Sequence, residues 1–171
     1  MTKRIVSLIV VLLLTFSCLA LPASAAAGSY SSGLDDSASL LSASEQASLT
    51  ETISEISAKI QGNLGVVTVN DLNGATFSFN GTTQDYADRY YEEKFGMNTD
   101  GILILLVLSD EHGKRTVYFS TSGKCIKRLS DSEREDILDD IIDNHTPDSK
   151  GYYDLLNAAV VDLGKVVTPN V

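Results

Sequence analysis

Apolar side chains recur every three or four positions in four stretches of this chain, which is the spacing of helices with one buried face. These stretches are Leu49–Ile60, Tyr86–Phe95, Ile137–Ile142 and Tyr152–Leu163. Ser42 and Ser130 precede two of them and are each followed three residues later by a glutamate, which is the sequence of a capping box. Thr82 or Thr83 can cap another. We therefore predict four helices.

Three other stretches have the pattern of strands. Leu64–Val69 is short and rich in β-branched residues, and Arg115–Ser120 alternates after a hairpin loop. Ile102–Leu108 is an unbroken run of seven aliphatic residues, which is typical of a central strand buried on both faces. A strand–helix–strand order predicts a parallel pair with a right-handed crossover. The predicted fold class is α/β: a small mixed β-sheet, with a parallel βαβ pair plus an antiparallel hairpin strand, flanked by about four helices.

The first 25 residues have the organisation of a secretory signal peptide. Lys3 and Arg4 precede the apolar run Ile5–Ala20, and small residues at 23–25 form a cleavage site after Ala25. The run has 16 residues, fewer than the roughly 20 that span a bilayer. An uncleaved anchor is the alternative. We expect a signal peptide over 1–25, a flexible leader over 26–33, one domain over 34–167 and no transmembrane segment after cleavage. The predicted location is secreted or extracytoplasmic, at the cell envelope.

Charge and cysteine content limit the partners and the kinds of site that this chain can have. Without Lys3 and Arg4 the chain keeps 11 basic and 23 acidic side chains, a net charge of −12. Such a chain is repelled by nucleic acid, so we expect no nucleic-acid partner. Cys125 would then be the one remaining cysteine, which excludes an internal disulfide. Two histidines and one cysteine fit no zinc-ligand spacing.

The order of these elements, with its particular residues, resembles the TPM-domain family of exported bacterial and thylakoid-lumen proteins. The resemblance covers roughly residues 34–165. It is carried by Asp36–Ser42, Leu64–Val69, Tyr86-Ala87, Asp100-Gly101 with Ile102–Leu108, Asp110, and Gly151-Tyr152-Tyr153.

The resemblance implies a sheet–helix sandwich with an acidic pocket. Family members are described as calcium-binding, as weak acid phosphatases related to photosystem II repair, or as auxiliary subunits of membrane complexes. This chain departs from many relatives at Lys124, which follows Gly123 where they carry an acidic residue. It also ends without the C-terminal membrane helix of many relatives.

Topology selects three carboxylates that can share a site. Asp71 and Asp110 follow the carboxyl ends of two parallel strands, and Asp36 precedes a helix that returns to the same edge. Ligands of open α/β sheets bind at that edge. Asp100 precedes its strand and lies at the opposite edge, where we expect it to act in the turn with Gly101. We therefore predict a metal site of Asp36, Asp71 and Asp110; the alternative is that these aspartates only cap turns.

Oxygen ligands favour calcium, or magnesium, and calcium tolerates irregular loops better. Two functions remain open. As a binding module, the domain would hold a cation that stiffens loops contacting a membrane-complex or envelope protein partner. As an enzyme, it would be a metal-dependent acid phosphatase-like hydrolase acting on phosphate esters, with Lys114 and Arg115 beside Asp110. No nucleophile and base are evident in the sequence, so the binding module is favoured.

Overall fold

The computed structural model describes residues 30–72, 81–145 and 147–167. The predicted signal peptide and residues 26–29 of the predicted leader lie outside these ranges, whereas Ser32 and Gly33 at the end of that leader lie in a strand. The strands and helices in chain order are β1 (Ser32–Asp36), α1 (Ala43–Ile60), β2 (Asn63–Asp71), α2 (Thr83–Phe95), β3 (Gly101–Ser109), β4 (Thr116–Ser122), α3 (Cys125–Arg128), α4 (Asp131–Asn144) and α5 (Pro147–Val167).

The strands form one mixed sheet in the order β1-β2-β3-β4. β1, β2 and β3 are parallel, and β4 returns antiparallel to β3. This confirms the predicted fold class. β1 and the short α3 are additions that the hydrophobic pattern did not predict. β1 has one large apolar side chain, Leu34, and is held by pairing with β2 in register from Ser32↔Leu64 to Asp36↔Thr68.

Both faces of the sheet are buried. On one face, Ile102, Ile104 and Leu106 of β3 join the core formed with α1, α4 and α5. On the other, Leu103 and Leu105 pack against α2 through Tyr86 and its neighbours. The aliphatic run of β3 is therefore buried on both sides, as predicted, and the fold has three layers with the sheet in the middle.

Helix starts follow the sequence closely. The capping boxes predicted at Ser42–Glu45 and Ser130–Glu133 are both formed, and Thr82–Asp85 forms a third. Gly151 has a φ of 85° and interrupts α5, at the break predicted before the last helix. Among the described residues, no helix is long and apolar enough to cross a membrane.

Candidate acidic site at the carboxyl edge

The parallel strands β1, β2 and β3 all end at one edge of the sheet, the carboxyl edge, and each ends in or just before an aspartate. Asp36 and Asp71 are the last residues of β1 and β2. Asp110 directly follows β3. This edge is where the sequence places the candidate site.

Asp36 is the most heavily hydrogen-bonded of the three carboxylates. Its Oδ1 accepts from the Leu40 amide at 3.0 Å and from Thr68 Oγ1 at 2.5 Å. Its Oδ2 accepts from the Leu41 amide at 2.9 Å and from Gln46 Nε2 at 3.2 Å. A carboxylate has about four lone-pair positions, so all are used. Asp36 ties the end of β1 to β2 and to the start of α1.

Asp110 organises the hairpin between β3 and β4. Its Oδ1 accepts from the amides of His112 and Lys114, both at 2.8 Å, and its Oδ2 accepts from Thr116 Oγ1 at 2.7 Å. These bonds, led by the one from Thr116 and then that from the Lys114 amide, lower the pKa of Asp110 from 3.8 to about 2. The carboxylate is therefore ionised throughout the physiological range.

Glu111 joins this edge from the same hairpin, although sequence reasoning did not single it out. Its Oε2 accepts from the Thr83 hydroxyl at 2.6 Å and from the Thr83 amide at 3.1 Å. The carboxylate thus lies at the N-terminus of α2, where the helix dipole favours an anion. The hydrogen bond from the Thr83 hydroxyl is the main reason that the pKa of Glu111 is lowered.

Strand register sets the spacing of the predicted trio. Asp71 of β2 pairs in register with Ser109 of β3, so it lies next to the residue that precedes Asp110. Asp36 of β1 pairs in register with Thr68 of β2, which lies three positions before Asp71. At about 3.3 Å per residue this offsets Asp36 from Asp71 by about 10 Å along the strands. The structure therefore brings Asp71 and Asp110 to adjacent strand ends and leaves Asp36 deeper in the sheet.

Asp35 has a different role from its neighbour because side chains alternate along a strand. It faces α2 and accepts a 2.6 Å hydrogen bond from the Tyr90 hydroxyl. Burial and this bond raise the pKa of Tyr90. The pair links β1 to the helix on the other face of the sheet. Without knowledge of β1, the sequence carried no signal for this contact.

The remaining candidates lie at the opposite, amino edge of the sheet. Asp100 accepts from the Lys124 amide at 2.9 Å, and its carboxylate is 3.0 Å from Lys124 Nζ, which confirms its predicted place in a turn. Lys124, the departure from the family pattern, is therefore the partner of Asp100. Cys125 is fully buried beside this turn, and burial raises its pKa, which opposes a role as a nucleophile.

The donor atoms at the carboxyl edge are oxygens, the kind that calcium and magnesium prefer. Within the described ranges, however, no three histidine, cysteine, aspartate or glutamate side chains are grouped so that they could hold a metal ion. The metal site of Asp36, Asp71 and Asp110 therefore stays a prediction.

Comparison with known proteins identifies the family. The family model for the TPM domain matches residues 34–166. The chain belongs to the TPM-domain family. No curated protein matches this TPM domain.

Two solved structures share the fold. The N-terminal domain of a protein from P. gingivalis, determined by solution NMR, is 21% identical with a TM-score of 0.61, over 78% of this chain and 80% of that chain. The N-terminal domain of the cg2496 protein from Corynebacterium glutamicum is 14% identical with a TM-score of 0.53, over 81% of each chain. At these identities the likeness concerns the fold alone.

Proposed function

We propose that this TPM domain is an exported, calcium-binding module that presents a protein-interaction surface at the cell envelope. The observation that carries the proposal is the pairing of acidic strand ends: Asp71 ends β2 beside Ser109 of β3, and Asp110 and Glu111 follow Ser109 along the chain. Oxygen donors on neighbouring loops of irregular geometry suit calcium.

Hydrogen-bond capacity separates the candidate ligands. Asp110 accepts three hydrogen bonds, so about one lone-pair position is left for an ion. Asp36 accepts four, which uses its capacity. We therefore assign Asp36 to ordering the loop before α1, and we propose Asp110 as a ligand together with Asp71, which strand register places beside it. A bound cation would join the ends of β2 and β3 and stiffen the hairpin that follows Asp110.

The state of Asp110 favours binding over catalysis. A carboxyl group with a pKa of about 2 stays ionised at neutral pH, as a cation ligand must. A general acid or base works best when its pKa is near the working pH. Asp110 therefore suits the role of ligand better than that of a catalytic proton carrier.

Thermal melting with calcium tests the proposal. An ion that binds only the folded protein stabilises it by about 2.7 kcal/mol at a free concentration one hundred times the dissociation constant. For a domain of this size we expect a rise in Tm of several degrees, at roughly 2–4 °C per kcal/mol. Asp71→Asn and Asp110→Asn should each reduce this calcium-dependent rise, because each removes a charged ligand.

Two variants and one salt serve as controls. Asp100→Asn alters a carboxylate at the opposite edge, roughly 30 Å away along the strand, and should keep the full rise. Asp36→Asn should lower Tm without calcium but keep the rise; its loss there would return Asp36 to the ligand set. Sodium chloride of equal ionic strength should not reproduce the effect. Equal shifts with both salts would refute the calcium site.

A second function, hydrolysis of phosphate esters, is favoured by one observation. Lys114 and Arg115 follow Asp110 and Glu111 in the same hairpin after two intervening residues, and cations there could neutralise a phosphoryl group beside a metal. The test is turnover of a generic phosphate ester by the purified protein, with and without calcium or magnesium. Metal-dependent turnover that Asp110→Asn abolishes would support the enzyme; calcium binding without turnover would support the module.

A further inference from the structure

Exposed apolar side chains are concentrated at the amino edge of the sheet. Among the described residues, four large hydrophobic side chains are exposed, and three of them lie at this edge. Tyr30, just before β1, is 39% exposed; Met97, in the turn between α2 and β3, is 70% exposed; and Ile126 of α3 is 58% exposed. Single exposed apolar residues are ordinary on a protein surface, whereas several at one edge indicate a contact surface.

Hydrogen bonds join the three segments that carry these side chains. The Ser31 amide, next to Tyr30, donates to Asn63 Oδ1 at 2.8 Å, and the Asn63 amide donates to the Asp100 carbonyl at 2.8 Å. Asp100 belongs to the turn that contains the exposed methionine, and its carboxylate accepts from the amide of Lys124, which directly precedes α3. The three exposed side chains therefore belong to one continuous surface.

The same edge carries nearly half of the basic side chains that follow the predicted signal peptide. Five of these 11 lie here, and we call them the basic edge: Lys59, Lys94, Lys124, Lys127 and Arg128. α1 and α2 both end at this edge and contribute a lysine each from the last turn. The four lysines are exposed. Arg128 donates from Nη1 to the Ile60 carbonyl at 2.7 Å, which holds α3 against the end of α1.

The overall charge of the chain opposes contact with an anionic surface, but distance limits this effect. The acidic carboxyl edge lies about 30 Å away along the nine residues of β3, and charges are screened over about 8 Å at physiological ionic strength. Acidic residues nearer to the basic edge are in ion pairs: Asp100 with Lys124, Glu93 with Arg89, and Asp131 with Arg134. Glu92 of α2 adds one more acidic group. The basic edge therefore keeps a positive local charge.

We infer that the basic edge, together with Tyr30, Met97 and Ile126, binds the surface of an anionic phospholipid bilayer. The lysine ammonium groups would contact lipid phosphates while their apolar stems lie along the protein surface. The exposed apolar side chains would enter the headgroup region, where tyrosine is favoured. Each basic side chain close to an anionic bilayer raises the partition coefficient by about fivefold.

Two observations favour a bilayer over an acidic protein as the partner. The exposed apolar side chains lie in separate segments around the edge, which suits a fluid interface, whereas a protein partner needs a closely packed apolar centre. The chain also enters the described fold at Tyr30, ten residues after the apolar run Ile5–Ala20 ends. If that run stays as an anchor, which is the alternative to cleavage, it holds this edge of the domain towards the bilayer.

This orientation places the proposed calcium ligands away from the bilayer. Asp71 and Asp110 lie at the carboxyl edge, so a protein partner could reach the cation site while the amino edge contacts lipid. The membrane surface is separate from the cation site and does not depend on it. All measurements below are therefore made with a calcium chelator present.

Vesicle sedimentation tests the inference. The protein used begins at residue 26, because the apolar run would itself bind lipid; both cores consist of residues from Leu34 onwards. Vesicles of phosphatidylglycerol mixed with an equal amount of phosphatidylcholine should bind it about tenfold or more tighter than pure phosphatidylcholine. Equal binding would refute the inference, and binding to neither would refute it in favour of an acidic protein partner.

Neutral substitutions test the apolar contacts. Met97→Ser and Ile126→Ser should each lower the partition coefficient on the anionic vesicles by about fivefold, because each withdraws an apolar side chain from the interface. Ile142→Ser is the matched control: Ile142 is 63% exposed in α4 and lines a pocket with Thr116 at the start of β4, away from the amino edge. It should change binding by less than about twofold. Equal losses at Ile126 and Ile142 would overturn the inference.

Charge reversal tests the basic edge. Lys127→Glu should weaken binding to anionic vesicles by about tenfold or more. Lys114→Glu changes the net charge by the same amount in the hairpin at the carboxyl edge and should change binding by less than about twofold. Equal losses would show that overall charge, and not this surface, governs binding. Because calcium is absent, a failure of the calcium proposal leaves these outcomes unchanged.

Discussion

At the scale of single residues, the aspartates near the carboxyl edge differ in the groups that donate hydrogen bonds to their carboxylates. Asp36 and Asp35 are neighbours in β1, yet one receives four hydrogen bonds at the start of α1 and the other faces Tyr90 on α2. Asp110 accepts hydrogen bonds from two backbone amides and one hydroxyl group of its own hairpin. The same side chain is thus a linker, a contact between layers or a loop organiser, according to its position.

The Asp110 hairpin predicts a defined pH dependence. The pKa of the Asp110 carboxyl group is lowered from 3.8 to about 2 in the folded protein, so below about pH 4 the unfolded chain binds more protons than the folded protein does. The stabilisation by the carboxylate is therefore present above about pH 4 and is lost as the pH falls towards 2. We expect Asp110→Asn to reduce the loss of stability in this window, measured as the urea midpoint from pH 7 to 2.

The comparison for this prediction is Asp139→Asn, the same substitution on the exposed face of α4 and away from the hairpin. If both variants alter the pH dependence equally, the hydrogen bonds of the hairpin are not its cause.

At the scale of elements, three of the helices that pack on the sheet, α1, α2 and α4, begin where short polar motifs satisfy their first amides. In α4, the Ser130 hydroxyl accepts from the Glu133 amide at 3.3 Å, and the Glu133 carboxylate accepts from the Ser130 amide at 2.8 Å. This reciprocal bonding satisfies donors that a helix start leaves unpaired. It also fixes the start of α4, which packs against the core through Ile137 and Ile141.

Removing this cap should have a measurable cost. We expect Ser130→Ala to lower the free energy of unfolding by about 1 kcal/mol, which corresponds to roughly 2–4 °C in Tm. Ser132→Ala, two residues further along the same helix and exposed, should change stability by less than about 0.5 kcal/mol. Similar losses in the two variants would show that the capping box contributes nothing specific.

At the scale of the whole molecule, stability depends on burying both faces of one small sheet. Neighbouring residues of β3 enter different cores: Leu103 packs towards α2, and Ile104 packs towards α1 and α5. Both side chains are fully buried. The two cores are therefore joined through the backbone of β3 and should unfold together.

Two truncations test this arrangement. Leu103→Ala and Ile104→Ala should each lower the free energy of unfolding by about 2–5 kcal/mol, because each leaves a cavity in a packed core. Ile142→Ala, at a position 63% exposed, should cost far less. The measurement is urea unfolding followed by circular dichroism. A Leu103→Ala variant as stable as Ile142→Ala would show that α2 does not close its face of the sheet.

The sequence by itself determined the features that depend on neighbouring residues. Seven consecutive aliphatics identified β3 as the central strand, capping motifs located the helix starts, and chain order placed Asp71 and Asp110 at one edge. These signals are local, because hydrophobic period and capping are set within a few residues along the chain. The family resemblance, carried by the same residues, was confirmed over residues 34–166.

Tertiary structure decided what depends on distant partners. β1 exists because the edge of β2 offers backbone partners to a segment with little hydrophobic pattern of its own. Which aspartate has capacity left for an ion depends on donors such as Thr68, 32 residues from Asp36. The apolar pocket lined by Val117, Leu138 and Leu155 depends on how α4 and α5 pack beside β4. Hydrogen-bond partners and gaps between elements are properties of packing, which a local pattern does not encode.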